Sequence, residues 1–152
     1  GDARKPGGKP ATLAMLMLDL DHFKMINDRF GHSTGDGALR YFTEVAKSVL
    51  RDRDHFARLG GEEFAALLPG TPLDAALGVA ERIRAMTADA GFKDECGTEV
   101  PLSVSIGVTE LPAEDPRPLA VLNRADKALY LTKKSGRNRV AMATIDRPPE
   151  LV

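Results

Sequence analysis

The sequence predicts an α+β fold, an α/β sandwich whose central, mostly antiparallel sheet is flanked by helices, and three observations predict it. Leu13-Ala14-Met15-Leu16-Met17-Leu18 is brief and apolar throughout, the pattern of a central strand covered on both faces. His55 to Leu59 and Glu62 to Leu68 are two strand-like runs joined by Gly60-Gly61, which supplies the backbone freedom of a tight reversal. Stretches with helical spacing separate and follow these runs, so strands and helices interleave around one sheet.

Taken in order, Gly1 to Pro10 is rich in Gly, Pro and Lys without periodicity, and residues 1–12 read as a linker remnant or disordered arm. The folded unit spans 13–144. Its first strand runs directly into Asp19. Phe23 to Phe30 reads as a short helix broken by Gly31, and a second helix follows near Gly35 with Leu39, Phe42, Val45, Ala46, Val49 and Leu50 in register. After the hairpin, Thr71-Pro72 opens a helix with a stripe of Leu73, Leu77, Ala80, Ile83 and Thr87. Leu102 to Val108 alternates like a strand. Pro118 to Lys134 is helical, with Leu119, Leu122, Ala125 and Leu129 expected inward and Gly136 as the stop, before a last strand near Arg139 to Ala143. Residues 145–152 are expected to form a tail, frayed from Pro148 to Val152.

Composition narrows the function classes. The 152 residues suit one domain, and 43% hydrophobic content suffices for one core. Lys and Arg number 21 against 22 Asp and Glu, a net charge of −1, which gives no global basic field for nucleic acid or an anionic membrane. Phosphate recognition must therefore be local. Cys96 is the single cysteine, so an internal disulfide and a multi-cysteine zinc site are excluded; it reads as a small, partly buried side chain in a reducing compartment. No apolar stretch is long enough to span a bilayer, and no secretory pattern opens the chain.

The candidate chemistry lies in two acidic segments. Asp19 and Asp21 flank Leu20, so in an extended segment both carboxylates point the same way, as hard, oxygen-seeking cations require. Gly60-Gly61-Glu62-Glu63-Phe64 adds two carboxylates at a turn whose missing β-carbons let a bulky triphosphate approach the main chain. Either segment alone could be an ordinary surface turn.

Together these residues resemble a known family. Arg58-Leu59-Gly60-Gly61-Glu62-Glu63-Phe64 is similar to the GGDEF signature in its GGEEF form. Asp19-Leu20-Asp21-His22-Phe23-Lys24-Met25-Ile26-Asn27-Asp28, with Phe30-Gly31-His32 and Gly35-Asp36, resembles its upstream strand-to-helix motif. Ser105-Ile106-Gly107-Val108, Arg124-Ala125-Asp126-Lys127-Ala128-Leu129-Tyr130 and Lys133-Lys134-Ser135-Gly136-Arg137-Asn138 follow in the family's order. The resemblance covers about residues 13 to 143 and implies the palm-like fold of nucleotidyl cyclases. It also implies a cytoplasmic diguanylate cyclase that condenses two GTP into cyclic di-GMP and two pyrophosphates.

By resemblance, Asp19, the Leu20 carbonyl and Glu62 hold two Mg²⁺ per active site, with Mn²⁺ as an alternative. Glu62 is the catalytic position that helps deprotonate the ribose 3′-hydroxyl; Glu63 and Lys133 complete the catalytic set. Asn27 and Asp36 read guanine, whose ring N–H and amino group suit a carboxylate acceptor. Lys24, Lys133, Arg137 and the main-chain N–H groups of His22 and Phe23 meet the phosphates. Gly60 and Gly61 give the nucleotide room, and His32 borders it. His22 departs from the aromatic residue often found there. Arg51-Asp52-Arg53-Asp54 matches an R-x-x-D inhibitory site in which Arg51 and Asp54, with Arg82, bind the product. The resemblance further implies a homodimer for turnover and an absent N-terminal sensory or dimerisation domain. The rival reading is a non-catalytic domain that binds cyclic di-GMP or GTP only as a receptor or interaction module.

Overall fold

The computed structural model describes residues 12–111 and 117–152. The arm expected over 1–12 lies outside the described residues except for Thr12. Ten elements follow one another: β1 (Leu13–Leu20), α1 (Phe23–Phe30), α2 (His32–Val49), β2 (His55–Gly60), β3 (Glu63–Pro69), α3 (Leu73–Asp89), β4 (Val104–Leu111), α4 (Pro118–Lys134), β5 (Val140–Thr144) and β6 (Arg147–Leu151). The strands form one sheet in the order β2-β3-β1-β4-β5-β6. Only β4 and β5 pair in parallel, so the sheet is mostly antiparallel as expected.

The apolar run of β1 occupies the centre because both its faces are covered. Leu16, Leu18 and Leu20 face a core shared with Leu39 and Phe42 of α2 and Ala80 and Ile83 of α3. Met15 and Met17 alternate to the other face and pack on Val121, Ala125 and Leu129 of α4. Gly107 explains how closely α4 lies on the sheet. A β-carbon there would stand 2.5 Å from both the Ala125 carbonyl oxygen and the Leu129 nitrogen. A side chain at this point would lift the helix, and with it whatever its C-terminal end presents.

The β2–β3 hairpin is anchored by an aromatic cluster. Phe64 is buried, with its ring centroid 5.0 Å from that of Phe42 and 5.4 Å from that of Phe56, on which it stacks. The turn requires Gly61, whose φ of 52° is left-handed, and Arg58 Nε donates to the Gly61 carbonyl at 2.8 Å.

Three expectations are corrected. The tail is paired: β6 lies antiparallel to β5, with Val152 N–H donating to the Val140 carbonyl at 3.0 Å. Pro148 and Pro149 are tolerated because they fall at the register shift between the Met142 and Thr144 pairings, on an edge strand that needs few of its own donors. Leu119, expected inward on α4, is 70% exposed. The helix turns about 100° per residue, so Leu119 lies about 160° from Val121, which heads the buried face. Cys96, expected partly buried, is exposed.

Candidate active site

The first site residues come from the end of β1. Asp19 pairs across to Glu63 on β3 and to Ser105 on β4, and the Leu20 N–H donates to the Glu62 carbonyl at 3.2 Å. Sheet register therefore brings the two acidic segments together. Asp19 and Glu62 line one cavity of about 200 Å³ with Leu20, Asp21, His22, Phe23, Lys24, Lys133 and Arg137.

Asp19 is buried, and Lys133 Nζ reaches its Oδ2 from the end of α4. Burial pushes the Asp19 carboxyl above the ordinary range; the hydrogen bond and charge of Lys133 pull it back, and the charges of Glu62 and Glu63 push it up again. Asp19 and Glu62 thus stand together at a partly desolvated point, with Lys133 as the cation bonded to Asp19. The Asp19 and Glu62 carboxylates, with the Leu20 main chain bordering the same cavity, offer oxygen donors. They fit Mg²⁺, which keeps waters and phosphate oxygens in its shell rather than demanding an all-protein cage. Among the described residues no cluster of three or more His, Cys, Asp or Glu side chains forms such a cage.

Asp21 does not join this donor set in the expected way. Its Oδ1 accepts from Ser105 Oγ at 2.7 Å, and its Oδ2 accepts from Ser103 Oγ at 2.6 Å and from the Asn138 N–H at 3.0 Å. The carboxylate is buried among protein donors, which engage both of its oxygens.

His22 precedes α1 in a left-handed conformation, φ 55° and ψ 33°, which turns the chain from strand to helix at the rim of the cavity. The first N–H groups of α1, at Phe23 and Lys24, consequently begin at that rim. On the far side, α4 ends in a Schellman turn: Gly136 has φ 115°, and the Arg137 N–H donates to the Thr132 carbonyl at 2.8 Å. This turn brings Lys133 and Arg137 to the same cavity.

Asn27 sits half-buried on α1 against Gly35, where a β-carbon would lie 1.8 Å from Asn27 Oδ1. Asp36 follows Gly35 and is exposed, as is His32 at the start of α2. Neither Asn27, His32 nor Asp36 lines the acidic cavity; they stand on the adjoining α1–α2 surface. Gly60 and Gly61 border open space, with nothing within 4 Å of a β-carbon built on either. Glu63 is exposed and Glu62 half-buried.

The Arg51–Asp54 pair lies apart from this cavity. Arg51 Nε and one terminal nitrogen meet both Asp54 oxygens, at 3.2 and 2.7 Å, and that nitrogen also donates to the Pro69 carbonyl at 3.0 Å and to Thr71 Oγ1 at 2.6 Å. Burial would raise the Asp54 carboxyl, but the hydrogen bonds and charge of Arg51, helped by Arg53, hold it below the ordinary range. Both residues line a second cavity of about 750 Å³ along β2, bordered also by Lys47, Leu50, His55 and Leu67. Arg82 is exposed on α3, outside that lining.

Residues 3–139 match the family described as diguanylate cyclase, GGDEF domain. The chain belongs to the GGDEF family. Among curated GGDEF relatives, diguanylate cyclase A of Treponema denticola is 41% identical over 142 residues, covering 93% of this chain and 38% of the relative. The response regulator PleD of Caulobacter vibrioides is 44% identical over 135 residues, 88% of this chain and 29% of the relative. The chain thus spans well under half the length of these relatives. The active GGEEF domain of a diguanylate cyclase from Vibrio cholerae superposes with a TM-score of 0.80 at 36% identity, covering 87% of this chain and 83% of that one. The GGDEF domain of DgcB from Caulobacter crescentus, solved with cyclic di-GMP, gives 0.81 at 36% identity, with coverages of 90% and 80%.

Within this GGDEF domain, sequence reading missed the hydroxyls of Ser103 and Ser105 and the main chain of Asn138 as partners of Asp21. The available signal was Ser103-x-Ser105, two hydroxyls alternating onto one face of an otherwise apolar strand.

Proposed function

We propose that this domain is a diguanylate cyclase that condenses two GTP into cyclic di-GMP and two pyrophosphates as a homodimer. The observation that carries the reading is the convergence of Asp19, Glu62 and the Lys133–Arg137 turn, from three separate stretches of chain, on one cavity. The family resemblance and the curated cyclases among the relatives support it. GTP as substrate places the domain in the cytoplasm, and among the described residues no helix is long and apolar enough to cross a membrane.

In this reading each domain holds one GTP. Asn27 and Asp36 take the guanine, Lys24, Lys133 and Arg137 neutralise the triphosphate, and the opening N–H groups of α1 add donors. Asp19, the Leu20 carbonyl and Glu62 would hold two Mg²⁺, or Mn²⁺ in their place. The bound metal supplies charge neutralisation at the phosphoryl oxygens and lowers the cost of ionising the attacking hydroxyl. Glu62 takes the 3′-hydroxyl proton, with Glu63 beside it, and the freed oxygen attacks the α-phosphorus of the partner's GTP as pyrophosphate leaves. Lys133 and Arg137 hold charge that grows on the leaving group, so most of the rate comes from placement and fixed charge. A single domain carries half the reaction.

Arg51, Asp54 and Arg82 are proposed as the product's inhibitory site. The support is the fixed orientation of the Arg51 guanidinium, whose side chain is still 41% exposed beside the larger cavity. Arginine's planar fork suits a guanine edge or phosphate.

Glu62→Gln tests the assignment. The variant should keep its fold and GTP binding and lose turnover by at least about a thousandfold, the scale of removing a general base together with a metal ligand. Parental turnover in a folded variant would refute the role of Glu62. Tight nucleotide binding by the parent with no product under any condition would make the domain a receptor instead.

A further inference from the structure

Asp21 has two oxygens on three protein donors, and one of those donors belongs to the turn that carries Arg137. Arg137 and Asn138 are consecutive non-glycine residues in the left-handed region, with φ 63° and 48°. Such a pair is sterically costly and persists only where surrounding contacts over-determine it. Those contacts are visible. The Asn138 N–H donates to Asp21 Oδ2 at 3.0 Å, and Arg84 of α3 donates to Asn138 Oδ1 at 3.0 Å. Arg84 is itself fixed by Glu81, and Arg139 Nε donates to the Arg137 carbonyl at 2.9 Å. Ser103 and Ser105 aim the Asp21 carboxylate, and the Asp21 N–H donates to the Ser103 carbonyl at 2.9 Å.

We infer that Asp21 is a positioning residue: with Ser103 and Ser105 behind it and Arg84 opposite, it locks the left-handed Arg137–Asn138 turn and so holds the Arg137 guanidinium at the triphosphate. The inference deepens the proposed function and rests on its reading that Arg137 meets the nucleotide. It gives the second acidic residue of the Asp19-Leu20-Asp21 run a task different from that of the first. Asp19 meets Lys133 in the cavity, whereas Asp21 fastens the turn that follows α4. It also ties α3 to the nucleotide pocket through Arg84.

The test measures binding of 3′-deoxy-GTP with Mg²⁺ by calorimetry, since that nucleotide lacks the attacking hydroxyl and cannot turn over. Asp21→Asn, Arg84→Ala, Arg137→Ala and the two doubles that include Arg137→Ala are compared, with circular dichroism and thermal melts checking each fold. Arg137→Ala alone should weaken binding about tenfold, the cost of one charge-assisted phosphate contact. Asp21→Asn should lose about as much, and Arg84→Ala about threefold, because each lets the turn relax. Neither should weaken binding further once Arg137 is alanine, which is the mark of action through that residue. Full additivity, or unchanged affinity in a folded Asp21→Asn or Arg84→Ala protein, overturns the inference. If Arg137→Ala alone leaves affinity intact, the phosphate role of Arg137 fails first and takes the inference with it. That outcome is distinct because it appears in the single variant.

Discussion

Lys133 at the end of α4 reaches across 114 residues of sequence to the Asp19 carboxylate at the end of β1. The pair joins the helix layer to the sheet at the acidic cavity, and each partner is assigned a role toward the triphosphate. Asp19 is buried and pushed toward its neutral form by that burial, so ionising it works against folding. Asp19→Asn should therefore abolish product while leaving the thermal midpoint of the metal-free domain unchanged or a few degrees higher. Mg²⁺ with 3′-deoxy-GTP should raise the midpoint of the parent and not that of the variant. Differential scanning calorimetry with and without ligand reads both.

Gly107→Ala tests how α4 is seated. The added methyl would meet backbone atoms at 2.5 Å, and backbone cannot swing aside as a flexible side chain can. The expected cost is about 1–3 kcal/mol in urea unfolding. Turnover should also fall, because α4 delivers Lys133.

Gly35→Ala tests the guanine contact proposed for Asn27. The new β-carbon would displace Asn27 Oδ1, a side-chain atom that can move, so the fold should survive. The displaced amide no longer presents the same edge to the base, and discrimination between GTP and ATP, measured as the ratio of kcat/KM values, should fall by about tenfold or more.

Phe64→Ala tests the anchor of the hairpin. Its buried ring touches those of Phe42 and Phe56, and its loss should cost about 3–5 kcal/mol. Chemical denaturation measures this directly.

The Arg51–Asp54 clamp predicts a pH dependence. Asp54 is held below the ordinary carboxylate range, so the folded state binds its proton less readily than the unfolded chain does. Its contribution is fully present at neutral pH, begins to fade as the pH falls through the ordinary carboxylate range, and is gone below the depressed folded value. Asp54→Asn should remove that contribution at neutral pH, so the stability gap between parent and variant narrows on acidification. Unfolding curves at several pH values give the gap.

Much of this molecule was legible because local chemistry and tertiary structure agree. The apolar run to Asp19, the glycine turn at Gly60-Gly61, and the helix bounded by Pro118 and Gly136 each form where spacing and capping place them. What escaped depends on distant partners. Two prolines signalled a frayed end, but the edge of the sheet accommodates them at a register shift that only β5 defines. Asp21 looked like a twin of Asp19 by alternation, and only the folded arrangement reveals that Ser103, Ser105 and Asn138 occupy its oxygens. Leu119 fits a stripe of three-residue steps that drifts around the helix, away from the face Val121 and Ala125 bury. The Arg51–Asp54 ion pair joins residues of one short motif, whereas the added bonds of Arg51 to Pro69 and Thr71 come from the end of β3 and the residues that follow it.

The decisive measurement is incubation of the domain with GTP and Mg²⁺ over a range of protein concentrations, with products identified by mass. Cyclic di-GMP and pyrophosphate should form in a 1:2 ratio, at a rate per chain that climbs with concentration as two half-sites meet. GTP left unchanged at every concentration, including in a tethered two-domain form, would contradict the proposed activity.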